Sequence, residues 1–473
     1  MPTSRRDFLR TSACAVGSMA LVSSIDSFGI VHALTPQGAA DYKALVCIFL
    51  NGGNDGNNML VSLDQYNGPV GSTTQGYFNV RNASGLAIPQ ASLLTVSPAS
   101  GGSYAFHPNM SEVRDLFNQG RLAVVCNSGP LVEPITRTTY QNGTGKKPLQ
   151  LFSHSDQVGL HQTAIANVVS QTGWAGRIAD KVIGLNGLAT FPQNISIAGI
   201  NLLLTGVDTR QLAVADSNTQ LANVLQLIMT GTSSEVASRA STFTELRSLD
   251  GNYKLIKAAS DTRSSAIQTD NALGSVSPQL STVFPNTSLG RQLLQIARLV
   301  KACTDPVAGI NMRRQIFFAQ IGGFDTHSNQ RGGGQDALLT QVSQAMKAFH
   351  DATIELGMAN NITTFTLSDF GRTLQPAGSG AAVGSDHAWG NHHLVMGGAV
   401  NGNRLFGTYP TLALGGPDDT DGGSNPRGRW IPTSSVEQYA ATLATWYGLS
   451  PSDLTAVFPL IDRFSTPNLG FMI

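Results

Sequence analysis

Asp369, Asp386, His387, His392 and His393 crowd into one glycine- and alanine-rich stretch of the chain, residues 367–393. Carboxylates and imidazoles are the oxygen and nitrogen donors of transition-metal sites, and either can move a proton. Asp325 and His327 form a second group. They stand two residues apart, so an extended strand end would turn both to one side, where they can share one metal ion. Asp55 is the single acid of a third group, the glycine- and asparagine-rich loop 51–58. Ser153 precedes a polar segment that reads as a helix start. It is either an N-cap or a nucleophile placed where the helix dipole favours an attacking oxyanion. Arg372 offers a planar fork that suits either substrate oxygens or a surface or structural ion pair.

Each acidic or histidine-bearing group follows an apolar run. Residues 44–50, 122–126, 315–321 and 361–367 read as buried strands, and 394–398 as one more. Helical spacing follows His107, Gly173, Asp336 and Ser434 or Ser435. The β-α-β order predicts an α/β fold with a mostly parallel central sheet flanked by helices, and such sheets bind ligands beyond the carboxyl ends of their strands. Residues 194–198 and 202–205 read as a short strand pair. Residues from about 216 to 302 read as a largely helical insertion in a single domain spanning 41–473. The loop after the first strand has neither a dinucleotide nor a P-loop glycine pattern, and no G-x-S-x-G elbow occurs, which argues against an α/β-hydrolase triad.

Thirty basic residues balance thirty acidic ones, so there is no basic footprint for nucleic acid. Ser4-Arg5-Arg6-Asp7-Phe8-Leu9-Arg10 is a twin-arginine pattern, followed by an apolar stretch too short to anchor in a membrane and a small-residue cleavage site before Leu34. Residues 1–33 are therefore expected to be a signal that hands the protein to the twin-arginine export machinery, for a periplasmic or secreted destination without a stable membrane anchor. Cys47, Cys126 and Cys303 are far apart and read as buried free thiols, with one disulfide as the alternative.

The segments 49–58, 151–157, 323–328, 368–373, 386–393 and 427–432 together resemble the domain-of-unknown-function 1501 family of exported bacterial proteins, over nearly the whole mature chain. That family is more remotely similar to the alkaline phosphatase/sulfatase superfamily. The resemblance implies an alkaline phosphatase-like core, one or two divalent metal ions (Zn, Mn, Ca or Mg), and a small or polymer-linked anionic ester as substrate. By motif, Asp55 resembles the early metal ligand and Ser153 the nucleophile. Asp325 and His327 resemble one metal's ligands, Asp369 the acid of an Asp-His pair, and His387 the final histidine. Phe370 stands where the superfamily pattern has histidine, and a phenyl ring cannot ligate. His154, His392 and His393 are the imidazoles available to substitute. No sulfatase-type Cys/Ser-x-Pro-x-Arg motif surrounds Ser153. Hydrolysis of phosphate or sulfate esters is the implied activity; the competing expectation is a non-catalytic binding or structural protein on a degenerate hydrolase scaffold.

Overall fold

A computed structural model describes residues 41–189, 191–224, 266–274, 278–305 and 310–473, with isolated positions between 234 and 245. The expected export signal and much of the expected insertion at 216–302 lie outside the described residues. Within the insertion's span, the described part includes a short 3₁₀ turn, Leu221–Asn223, and most of the helix Ser288–Thr304.

Fourteen strands are formed among the described residues. β1 is Lys43–Leu50. β2 (Leu60–Ser62), β3 (Leu94–Val96) and β4 (Tyr104–Phe106) make a small antiparallel sheet. β5 (Leu122–Gly129), β6 (Asn194–Ser196), β7 (Gln211–Ala213), β8 (Arg314–Ile321) and β9 (Ile362–Ser368) follow. β10 (Arg372–Ala377) and β11 (Gly384–His387) form a separate hairpin, and β12 (Asn391–Met396), β13 (Leu405–Phe406) and β14 (Ser434–Ser435) complete the set. The central sheet has nine strands in the order β13-β5-β12-β9-β1-β8-β6-β7, with β14 also paired to β5. It is parallel except for β12, which runs against both its neighbours. Only Ala388, Trp389 and Gly390 separate β12 from the β10–β11 hairpin, which lies outside the central sheet.

The β1 run is continuous in apolar residues because both faces are covered. Ala44, Val46, Ile48 and Leu50 join one core cluster, while Leu45, Cys47 and Phe49 join the other. Helices Ser111–Asn118, Ser288–Thr304 and Gln335–Glu355 supply the first cluster, and Trp174–Val182 and Val436–Tyr447 the second. Each fully buried Leu, Ile, Val or Phe contributes about 1.5–3 kcal/mol, so this double layer is what fixes the strand ends in space. Cys47, Cys126 and Cys303 are buried and free.

The expected partner of β6 is different from the one observed. Residues 202–205 form no strand; β6 pairs with β8 and β7. The carbonyls of Leu203 and Thr205 instead accept from the Gly176 and Gly173 amides at the start of helix Trp174–Val182. They satisfy helix-end donors that would otherwise lack a partner.

Candidate metal centre

Register brings the chemistry together. Leu50 lies opposite Ile321 on one side and Ser368 on the other, so β1, β8 and β9 end side by side. The loop after β1 is pressed against the loops after its neighbours. Gly52 and Gly53 both have positive φ, at 114° and 82°. A Cβ on Gly52 would collide with the Phe324–Asp325 backbone, and one on Gly53 with the Phe370 ring. Glycine is required here by conformation and by space. The β10–β11 hairpin then sets Arg372 opposite His387.

Four side chains converge: His154, Asp325, His327 and His387, with one potential ligand atom from each lying within 4.8 Å of the others. Asp325 Oδ1 is 3.2 Å from His327 Nε2, 3.4 Å from His154 Nε2 and 3.6 Å from His387 Nε2. His327 Nε2 and His387 Nε2 are 2.8 Å apart. Each imidazole is held through its other nitrogen. His154 Nδ1 is 2.7 Å from Asp369 Oδ2, His327 Nδ1 is 3.0 Å from Asp386 Oδ1, and His387 Nδ1 is 2.8 Å from the Phe152 carbonyl. A carbonyl or carboxylate oxygen can only accept, so these contacts place the N–H on Nδ1. The three Nε2 lone pairs therefore face one another and a carboxylate oxygen. His154 Nε2 is buried without a hydrogen-bond partner. Acceptors facing acceptors at these separations repel unless a cation lies among them, and oriented histidines backed by carboxylates and carbonyls are the usual support of metal ligands. The cluster could hold a metal ion.

Electrostatics agree. Partial burial pushes the His387 imidazolium down, assisted by Arg372 and the other two histidines, so the ring is neutral and able to ligate near neutral pH. Burial pushes the Asp325 carboxyl up, but the Arg372 hydrogen bond and charge, with His154 and His327, outweigh it and leave a net downward shift. Asp325 stays 49% exposed, so the cluster opens to solvent. On the inner side the Phe370 ring packs against His154 and His387, with centroids 4.7 and 4.6 Å away. Phe370 ligates nothing and walls the cluster from the protein side.

Three expected roles change. Asp55 does not reach the cluster. Its carboxylate is sealed in the interior against Arg81, with Arg81 Nη1 at 2.6 Å from Oδ2, and it also accepts from Gln330 Nε2 at 2.6 Å. Arg81 is a resident cation in place of a metal. Asp369, fully buried, is occupied by the Gly52 amide and His154 Nδ1, so it orients His154 instead of facing the cluster. Arg372 is 1% exposed, and its guanidinium donates to the carbonyls of Gly52, Gly53, Phe324 and Ser385 and to Asp325 Oδ1. Buried and bonded inside the protein, it is not presented to a substrate. Ser153 occupies the N-cap position of helix His154–Thr163 without capping it; its hydroxyl donates to Asp156 Oδ2 at 2.6 Å. His154 is the residue that sequence reasoning named only as a substitute. His392 and His393 are fully buried away from the cluster, beside Tyr409 and Tyr439.

The molecule is thus an α/β protein with a mostly parallel sheet and a histidine/aspartate cluster beyond its strand ends. It belongs to the family of proteins of unknown function DUF1501, whose model matches residues 42–419. No curated protein matches the chain. Among solved structures, the chain is similar to Ps i-CgsB in complex with a neocarrahexaose, at 9% identity and a TM-score of 0.33, covering 90% of this chain and 77% of that one. It is also similar to the PsFucS1 sulfatase from Pseudoalteromonas sp., at 10% identity and a TM-score of 0.30, covering 81% and 68%. A mutant TAB5 alkaline phosphatase with Mg bound in its M3 site matches at 10% identity and a TM-score of 0.21, covering 74% and 89%. No described helix is long and apolar enough to cross a membrane.

Proposed function

We propose that the protein is a metal-dependent hydrolase of phosphate or sulfate esters, small or polymer-linked, exported by the twin-arginine route to the periplasm or beyond. The observation that carries this reading is the convergence of three Nε2 atoms on Asp325 Oδ1, each imidazole held through Nδ1. His154, Asp325, His327 and His387 would hold the ion. Three nitrogens and one carboxylate suit zinc better than manganese, magnesium or calcium, which favour oxygen shells. Such an ion supplies Lewis acidity toward an ester oxygen.

The chain's own residues do the rest. Ser153 is the nucleophile in this reading, and its hydrogen bond to Asp156 Oδ2 gives its proton a destination. Attack forms the bond from Oγ to phosphorus or sulfur as the bond to the leaving oxygen breaks. Asp156 takes the serine proton and passes it to the departing alcohol. Water then cleaves the serine ester, its hydroxyl going to phosphorus or sulfur and its remaining hydrogen back to Oγ. Free amides in the first turn of helix His154–Thr163 favour the developing negative charge. Arg372 keeps Asp325 ionised and fixed. Export rests on Arg5-Arg6 and the short apolar stretch after them.

A second reading, a non-catalytic metal-binding protein, draws support from Arg372, whose guanidinium is spent inside the protein. Metal analysis and turnover of p-nitrophenyl phosphate and p-nitrophenyl sulfate decide between them. The hydrolase reading expects about one ion per chain, and turnover lost on chelation and in Ser153→Ala. Bound metal without turnover of any ester tried leaves the second reading; no bound metal after metal-supplemented expression sinks both.

A further inference from the structure

Resting on the metal-site reading above, we infer that Arg429 and Phe152 are positioning residues for His387, and that they lock the loop delivering His154 in the same act. The loop before helix His154–Thr163 is strained. Gln150 and Phe152 have φ of 41° and 72°, the left-handed region that a bulky side chain avoids. Strain of this kind persists only where the surroundings impose it, and it clusters at functional sites. Here it has a visible result: the Phe152 carbonyl meets His387 Nδ1 at 2.8 Å.

Arg429 closes the arrangement. Its guanidinium lies over the Phe152 ring, 4.1 Å from the centroid, and its Nε donates to the His387 carbonyl at 2.9 Å. Its own place is set by its backbone amide, which donates to Asp419 Oδ1 at 3.0 Å, and by Asp421, 3.8 Å from Nη1. His387 is thereby gripped at its ring through Phe152 and at its main chain through Arg429, while the two gripping residues stack on each other. This leaves His387 Nε2 as the atom aimed at the cluster. His154 follows Phe152 by two residues, so the same loop supplies one ligand and anchors another. Occupancy of the site and order in this loop are therefore linked: an ion held by His154 and His387 stabilises the strained loop, and a loosened loop costs the ion two of its four donors.

The test is the zinc affinity of the full chain, measured by competition with a chromophoric chelator. Arg429→Lys keeps the charge but loses the planar fork. Phe152→Leu keeps the carbonyl but loses the ring. Each is expected to weaken zinc binding about 10- to 100-fold, the range typical of lost ligand support. Phe152→Tyr, which restores the ring, should return the affinity to that of wild type. Arg427→Lys, a change of equal chemistry two residues away on an arginine paired with Asp421, should leave it untouched. Arg429→Lys and Phe152→Leu both indistinguishable from wild type would overturn the inference while leaving the metal site standing. Failure of the wild-type chain itself to bind zinc, manganese or any other divalent ion overturns the metal-site reading instead.

Discussion

Two acids stand beyond neighbouring strands of one sheet and have opposite fates. Asp55, after β1, is buried with Arg81, and both side chains have no exposure at all. Asp325, after β8, is half exposed and faces three imidazoles whose Nε2 atoms converge on it. The first carboxylate is neutralised by a cation carried in the chain. Arg81 also donates to the Leu374 and Thr373 carbonyls, so this pair ties the β1 loop to the β10 strand. The second is only partly neutralised, by Arg372 from within, and keeps an open side. The difference teaches that an acid at a strand end is not by itself part of a candidate metal site. What decides is whether the fold brings it a guanidinium in a closed space or imidazoles in an open one.

The largest expected effect comes from breaking the sealed pair. Arg81→Ala strands the Asp55 carboxylate in the interior, which should cost about 3–5 kcal/mol of stability. Urea denaturation measures it; a loss below about 1 kcal/mol, the worth of a surface pair, would show that the pair is not sealed. Next is the open cluster. His327→Ala should lower zinc affinity by about 100-fold, or ~2.7 kcal/mol, while metal-free stability stays within about 0.5 kcal/mol, as for a surface change. Equal losses in both measurements would erase the contrast between a structural and a ligand-binding acid. Asp369→Asn should fall between, weakening zinc binding about 10- to 100-fold by loosening the His154 tautomer.

Acid sharpens the comparison with smaller effects. His392, near Asp55, is pushed down to about 4 by burial, with the Asp55 charge opposing. A base whose folded pKa lies below its unfolded value of about 6.5 takes up its proton more readily when unfolded. Stability from His392 is thus complete above about pH 6.5 and declines toward pH 4, by ~1.4 kcal/mol per pH unit at most. The downward shift at His387 has the same sign, but this ring is only partly buried, so its contribution is smaller. Metal-free protein should therefore lose urea resistance between pH 6.5 and 4, and His392→Phe should flatten that slope more than His387→Phe does. The reverse order would place the buried titration on the open side.

Much of the scaffold was legible locally. The apolar runs became β1, β5, β8 and β9 to within a few residues, and the Ser434/Ser435 signal became the Ser435 capping box of helix Val436–Tyr447. Asp325, His327 and His387 share one cluster because all three lie just beyond strand ends or at the end of a hairpin strand, where sheet register leaves little freedom. Asp55 and Arg81 are 26 residues apart, and nothing in the intervening sequence announces that a short helix will bury the guanidinium against the acid. Arg372 looked available on its planar fork alone; the two glycines whose carbonyls occupy it belong to a segment 319 and 320 residues away.

The sequence by itself determined the alternation of apolar runs and helical periods, and with it the α/β class and the strand ends as the place for chemistry. Those features are local, set by burial on both faces and by caps. Tertiary structure alone decided that β12 runs backwards, that His154 completes the four while Asp55 is closed by Arg81, and that Phe370 is a wall. Each of these depends on which distant groups meet at close range, and that is settled by register and packing between segments hundreds of residues apart.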